Sequence, residues 1–191
     1  MNSRKPKILA FSGSLRRNSL NKKLVEVAAA GAEAAGASVT LLDLKDYPLP
    51  VYDGDVENEE GLPPAALELK KIFAAHDGFL ISSPEYNYGY TGALKNVIDW
   101  VSRRTEADEP MLSVFQGKHA AFLSATGGPS GGIRSIGQLR DLFLNMGVTV
   151  IPKSHALAHA NQEFDETGRL KNPETIKRAQ DIGERLAKAL Q

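Results

Sequence analysis

A three-layer α/β fold, a five-stranded parallel sheet covered by helices on both faces, is what the sequence predicts. Three observations carry that reading. Short apolar runs recur along the chain, of the kind that form strands buried on both sides. Between them lie segments whose apolar residues fall three and four apart, the period of an amphipathic helix. The two kinds alternate from end to end with no internal repeat and no low-complexity linker, as parallel βαβ units require.

Lys7 to Phe11 reads as the first strand, and a Gly-Ser-rich turn after it leads into a helix carrying Leu20, Leu24, Val27 and Gly31 on one stripe. Val39 to Leu42 reads as the second strand. Tyr47 to Pro64 holds four prolines (48, 50, 63, 64) and an acidic patch at Asp53, Asp55, Glu57, Glu59 and Glu60, so it reads as a solvated loop. A helix from Ala65 to Ala75 precedes the third strand, Phe79 to Ser83, which stops at Pro84. Leu94, Val97, Ile98 and Val101 mark the next helix. Ala120 to Ser124 is the fourth strand, Ile136, Leu139, Phe143 and Met146 the helix after it, and Val148 to Ile151 the fifth strand. The last helix opens at Asn172-Pro173, an N-cap followed by proline at the first helical position, and turns Ile176, Ala179, Ile182, Leu186 and Leu190 inward.

A chain of 191 residues is within the size of one domain with one substantial core, so residues 1–191 are expected to form a single domain. Right-handed crossovers and the common strand order 2-1-3-4-5 give it flavodoxin-like topology.

Composition removes several function classes. The 23 basic residues match 23 acidic ones, which leaves no overall charge to attract nucleic acid or a membrane surface. Basic residues do gather at the start, where Arg4, Lys5, Lys7, Arg16, Arg17, Lys22 and Lys23 face only Glu26 and Glu33 in the first 35 residues, a bias that favours an anion. No apolar run approaches a membrane span, and the protein is expected in the cytoplasm. The chain has no cysteine, so disulfides, thiolate metal ligands and thiol redox chemistry are excluded. His155 and His159 lie four apart, but no Glu or Cys completes a metal-ligand spacing, and no metal is expected.

In an open sheet of this kind ligands bind at the carboxyl ends of the strands, where the strand order reverses. The turns after the first, third and fourth strands should therefore form one site. The first reads Ser12-Gly13-Ser14-Leu15-Arg16-Arg17-Asn18-Ser19-Leu20-Asn21, which combines hydroxyls, two guanidiniums and a helix N-terminus, the groups a phosphate needs. A turn in which Ser19 served only as a helix cap would need no cation. The three-glycine dinucleotide pattern and the lysine-containing P-loop are both missing. The second turn, Pro84-Glu85-Tyr86-Asn87-Tyr88-Gly89-Tyr90, offers flat faces for a planar ring and polar groups for its edge. The third, Thr126-Gly127-Gly128-Pro129-Ser130-Gly131-Gly132, lets a backbone approach a ligand closely and present amide donors.

Gly13-Ser14-Leu15-Arg16 with Ser19 and Asn21, and Pro84-Glu85-Tyr86-Asn87 followed by Gly92-Ala93-Leu94-Lys95-Asn96 and Asp99-Trp100, resemble the two flavin-binding segments of the NADPH-dependent FMN reductase family, which includes chromate and quinone reductases. The resemblance covers roughly residues 7 to 150. It implies that Ser14, Arg16, Ser19, Leu20 and Asn21 hold the FMN phosphate. It also implies that Pro84, Glu85, Tyr86, Asn87 and Tyr88 flank the isoalloxazine and ribityl chain, and that Thr126, Gly127 and Gly128 face the pyrimidine edge. Of Glu85, the backbone rather than the carboxylate is expected to face the ring. The arginine-bearing turn ahead of a helix suits the terminal phosphate of FMN rather than FAD.

The implied activity is transfer of a hydride from NADPH or NADH to bound FMN, followed by two-electron reduction of free flavin, a quinone or a similar small acceptor, chromate and azo compounds included. No side chain is needed as a nucleophile. An oligomer, dimer or tetramer, is expected to complete the open flavin face through a helix exposing Trp100, Arg103 and Arg104. The carboxyl-terminal forty residues carry no usable motif.

Two other readings compete. Gly128-Pro129-Ser130-Gly131-Gly132 fits the Gly-x-Ser-x-Gly elbow of serine hydrolases, but Ser130 falls about six residues past the strand end instead of at the strand-to-helix turn. A flavodoxin-like electron carrier would share fold and cofactor. Such carriers tend to be strongly acidic, whereas this chain is neutral and places arginines beside the cofactor turn.

Overall fold

The structure is a computed structural model that describes residues 4–191. Its first half builds β1 (Lys7–Ser12), α1 (Leu20–Ala34), β2 (Ser38–Leu42), α2 (Gly54–Glu60), α3 (Pro64–Ala74), β3 (Gly78–Ser82) and α4 (Gly92–Val101). The second half adds β4 (His119–Ala125), α5 (Ile133–Asn145), β5 (Thr149–Val150), β6 (His155–Leu157), α6 (Ala160–Glu163) and α7 (Pro173–Ala189). The sheet runs β2-β1-β3-β4-β5 with every neighbouring pair parallel, the expected flavodoxin-like order.

The apolar runs become central strands because both their faces are covered. Ile8, Ala10, Leu80, Ala121 and Leu123 point to α1 and α7, while Leu9, Phe11, Phe79, Ile81 and Phe122 point to the opposite layer. On the first face α1 and α7 pack so closely that a Cβ on Gly31 would come 2.1 Å from the Gln180 carbonyl oxygen, and one on Gly183 1.9 Å from that of Ala28. Gly31 thus belongs to the buried stripe because nothing larger fits between the helices. The second face is filled by Phe73, Phe79, Phe115, Phe122 and Phe143, whose ring centroids lie 5.2–6.2 Å apart in mostly tilted or edge-to-face pairs. Asn172 and Pro173 open α7 as read from the sequence, with Asn172 accepting from the Glu174 N–H.

Three expectations need correction. The segment from Tyr47 to Pro64 is not loop throughout, since residues 54–60 form α2, capped by Asp53 and carrying Asp55 and Glu57 in its first turn, where the helix dipole favours carboxylates. Trp100 is not exposed. Its indole Nε1 donates to the Pro50 carbonyl at 2.9 Å and its ring packs edge-on to Tyr52, so the strap of residues 47–53 lies over it. The fifth strand is broken into β5 and β6, both paired with β4. Ala120 pairs with Val150 but Leu123 with His155, so five steps on one strand oppose three on the other and two residues bulge out at Pro152. Arg140 satisfies the freed carbonyls of Ile151 and Pro152.

Candidate active site

The carboxyl ends of β1, β3 and β4 surround a cleft of about 230 Å³. From the first turn it is lined by Ser14, Arg16, Ser19, Leu20 and Asn21; from the second by Pro84, Glu85 and Tyr86; from the third by Ala125, Thr126 and Gly127. Ten of the residues singled out in the sequence therefore meet in one place, although the segments that supply them are about seventy and forty residues apart.

Short bonds hold the first turn in position. The Gly13 N–H donates to the Ser82 carbonyl at 3.0 Å, and the Gly13 carbonyl accepts at 2.6 Å from the Thr91 hydroxyl, whose oxygen in turn accepts from the Leu94 N–H and caps α4. Ser14 and Ser19 are buried, and their oxygens accept from the N–H groups of Arg16 and of Asn21 and Lys22 respectively. Neither hydroxyl donates to another group among the described residues, so each is available as a donor to a ligand. Among the described residues the N–H groups of Leu15, Arg17, Asn18, Ser19 and Leu20 have no hydrogen-bond partner. A turn with open amides, two hydroxyls and the Arg16 guanidinium at a helix N-terminus has the donor set of a phosphate dianion.

The Asn21 side chain is also engaged within the fold. Its amide oxygen accepts from the Ala125 N–H at 2.9 Å and from the Ser82 hydroxyl at 2.8 Å, and its amide nitrogen donates to the Ala125 carbonyl at 2.8 Å. The side chain thus joins α1 to the ends of β3 and β4 and fixes the floor of the cleft.

The second turn is a tight hairpin closed by reciprocal bonds between Tyr86 and Gly89 at 2.9 and 3.0 Å. Asn87 and Tyr88 both take left-handed backbone angles, φ 50° and 66°, the type I′ pattern in which a tyrosine is disfavoured. Tyr88 and Asn87 stand outside the cleft lining, at its rim. The Glu85 side chain turns away from the cleft: Oε2 accepts from the N–H groups of Arg134 and Ser135 at 3.0 and 3.1 Å. It caps α5, whose N-cap residue Gly132 has no side chain for the purpose.

The third turn depends on the carboxyl-terminal segment. Thr126 donates to the Leu157 carbonyl, its carbonyl accepts from Ala160, and the Gly128 carbonyl accepts from His159, at 2.9–3.1 Å. Gly128 lies outside the cleft lining, and α6 contributes a residue that the sequence reading missed, Asn161, whose amide nitrogen stands 2.8 Å from where a Cβ on Gly127 would be. No periodicity or motif marks a lone asparagine on a four-residue helix. Ser130 lies five residues past β4, and its hydroxyl faces Glu85 at 3.5 Å rather than an imidazole, so the hydrolase geometry is not formed. Next to this site, at the end of β2, burial pushes the Asp43 carboxyl up but the hydrogen bond and charge of Lys22 at 2.5 Å outweigh it, and its pKa stays below the usual carboxylate range.

Residues 6–162 match the family model described as NADPH-dependent FMN reductase. The chain belongs to that family. Membership makes it an NAD(P)H-dependent oxidoreductase whose flavin is FMN. An NAD(P)H-dependent FMN reductase of Pseudomonas aeruginosa is 38% identical over 165 residues, covering 86% of this chain and 84% of the relative. A probable NADPH:quinone oxidoreductase of rice is 36% identical over 181 residues, covering 92% and 84%. Among solved structures, a flavoenzyme NAD(P)H:(acceptor) oxidoreductase of Paracoccus denitrificans superposes with a TM-score of 0.77 at 28% identity, covering 97% of both chains. An archaeal flavodoxin, 14% identical with a TM-score of 0.62 over 96% of this chain, shares the fold.

Proposed function

We propose that the cleft at the ends of β1, β3 and β4 holds FMN, with its phosphate on Ser14, Arg16, Ser19 and the open N–H groups up to Leu20. Pro84, Glu85 and Tyr86, with Asn87 and Tyr88 at the rim, flank the ring and ribityl chain, and Thr126, Gly127 and Gly128 face the pyrimidine edge. Asn21 acts through the floor that it builds. One observation carries this reading: three turns far apart in the chain converge on a cleft whose far end has the amides, hydroxyls and cation of a phosphate site. Bound there, FMN would supply the two-electron chemistry that links NADPH or NADH to a small acceptor.

The chain's own residues bind and orient. The buried serines and Arg16 anchor one end of the cofactor, the Tyr86–Gly89 hairpin borders the other, and Thr126 and Gly127 are kept in place by β6 and α6. Acceptors of the quinone and free-flavin class fit an open face bordered by Tyr86 and Tyr88, both at least half exposed. Chromate and azo compounds belong to the same reading. We further propose that residues 1–191 act as one FMN-binding domain in the cytoplasm and assemble as a homodimer or homotetramer. The exposed apolar residues Leu15 and Val51 beside α4 offer an assembly surface; Trp100, which is buried, does not.

Purified protein should be yellow and should oxidise NADPH with a quinone or free flavin in the absence of any partner protein. Flavin that nicotinamide reduces only when a second protein is added would favour the electron carrier. Light scattering at micromolar concentration tests the assembly, and an active monomer would overturn it.

A further inference from the structure

If FMN occupies the phosphate end of the cleft, Arg16 is committed, and the phosphates of an incoming nicotinamide dinucleotide need a different cation. One stands beside the second turn, next to Glu85. Arg134, the second residue of α5, has more than half of its side chain exposed, and its guanidinium carbon lies 4.9 Å from the centroid of the Tyr88 ring, within cation–π range. Tyr88 is 68% exposed and is held out from the surface at a backbone angle unfavourable for a tyrosine. One turn further along α5, Gln138 fixes the same hairpin by donating to the Tyr88 carbonyl at 3.1 Å.

Backbone strain of this kind persists only where surrounding structure enforces it, and it collects at ligand-binding sites. Here it props a flat aromatic face under a cation beside Glu85 and Tyr86, which line the cleft. The nearby helix N-terminus does not compete for the anion, because Glu85 already occupies the N–H groups of Arg134 and Ser135. Nor does Glu85 consume the guanidinium: its oxygens serve those backbone donors, and the contact to Arg134 Nη1, at 3.6 Å, is the longest ion pair among the described residues.

We propose that Arg134, supported by the Tyr88 ring, binds the 2′-phosphate of NADPH and sets the preference for NADPH over NADH. The inference rests on the reading above that the nicotinamide nucleotide docks on FMN in this cleft. A guanidinium over a ring can still form paired hydrogen bonds to phosphate oxygens through its free N–H groups, a geometry that lysine lacks. The free sector of the Tyr88 ring offers the adjoining adenine a surface to stack on.

The test uses the FMN-loaded protein and its Arg134→Gln and Arg134→Lys variants. NADP⁺ and NAD⁺ are titrated by calorimetry, and KM is measured for NADPH and NADH. The expected result is a loss of about tenfold in NADP⁺ affinity and a matching rise in KM for NADPH in Arg134→Gln, roughly the value of one charge-assisted contact. NAD⁺ affinity and KM for NADH should shift less than about twofold, and Arg134→Lys should recover part of the loss. Equal losses for both nucleotides would move the contact to a group they share and overturn the assignment, as would no loss for either. Wild-type protein that binds FMN but neither nucleotide would overturn the parent reading as well, so the two failures are told apart by the wild type.

Discussion

Glu85 and Ser135, fifty residues apart in sequence, are joined by a hydrogen bond of 3.1 Å from the Ser135 N–H to the Glu85 carboxylate. Together with the bond from Arg134 it caps α5 from the turn that follows β3, placing a negative charge against the positive end of the helix dipole. The ring-flanking segment and the glycine-rich turn are in this way fastened to one another by the residue between Pro84 and Tyr86. Glu85→Ala is expected to cost about 1–2 kcal/mol of stability, the value of a helix cap, and to weaken FMN binding because both turns loosen together. Glu85→Gln, which keeps one acceptor oxygen, should recover part of each. Chemical denaturation and FMN fluorescence titration measure the two effects, and a stable protein with weak FMN binding would show that the carboxylate meets the ligand instead.

Arg16→Ala should weaken FMN binding by about 1.5–3 kcal/mol, the range of a charge-assisted hydrogen bond, while leaving the unfolding transition of the apoprotein in place. Arg16 is exposed, so its removal opens no cavity. Unchanged FMN affinity would overturn the phosphate assignment.

Asn21→Ala should behave in the opposite way. It removes three buried hydrogen bonds and leaves the Ala125 N–H and carbonyl and the Ser82 hydroxyl without their partner, a cost of about 2–4 kcal/mol. The apoprotein itself should therefore unfold at a lower denaturant concentration. A variant that is as stable as the wild type but binds FMN poorly would make Asn21 a direct ligand to the phosphate.

Glu109 organises the chain after α4. Its carboxylate accepts from Lys70 at 2.7 Å, from the Thr105 N–H at 2.7 Å and from the Thr105 and Ser113 hydroxyls. Burial pushes its pKa up, these bonds outweigh that, and the folded value is about 2 against 4.5 for the free side chain. The stabilisation is thus complete above pH 4.5 and is lost as the pH falls toward 2. Glu109→Gln is expected to destabilise the protein by about 1–3 kcal/mol at neutral pH and to flatten this acid limb. Denaturation curves between pH 7 and pH 3 test it, and an acid limb of equal steepness in both proteins would count against it.

The sequence alone determined the layers and the three turns of the cleft, because each rests on local signals, while the strand order followed from the handedness of crossovers and the common order of such sheets. A buried parallel strand must be a short apolar run, a covering helix must repeat its apolar residues every three to four positions, and a topological switch point lies at strand ends whatever the side chains. Ser19 and Asn172 are legible for the same reason, since a cap is set by residues two or three positions away.

Tertiary structure alone decided what those residues bond to. Whether Asn21 faces a phosphate or Ala125, and whether Glu85 faces a ring or the start of α5, depends on partners 104 and 50 residues away. The burial of Trp100 under the strap at Pro50, the bulge at Pro152 that splits the last strand, and the arrival of Asn161 beside Gly127 have the same origin. A local pattern specifies which way a side chain turns relative to its own helix or strand. The hydrogen bonds that commit a buried polar group form only when distant elements pack, and nothing in the neighbouring sequence encodes which elements those are.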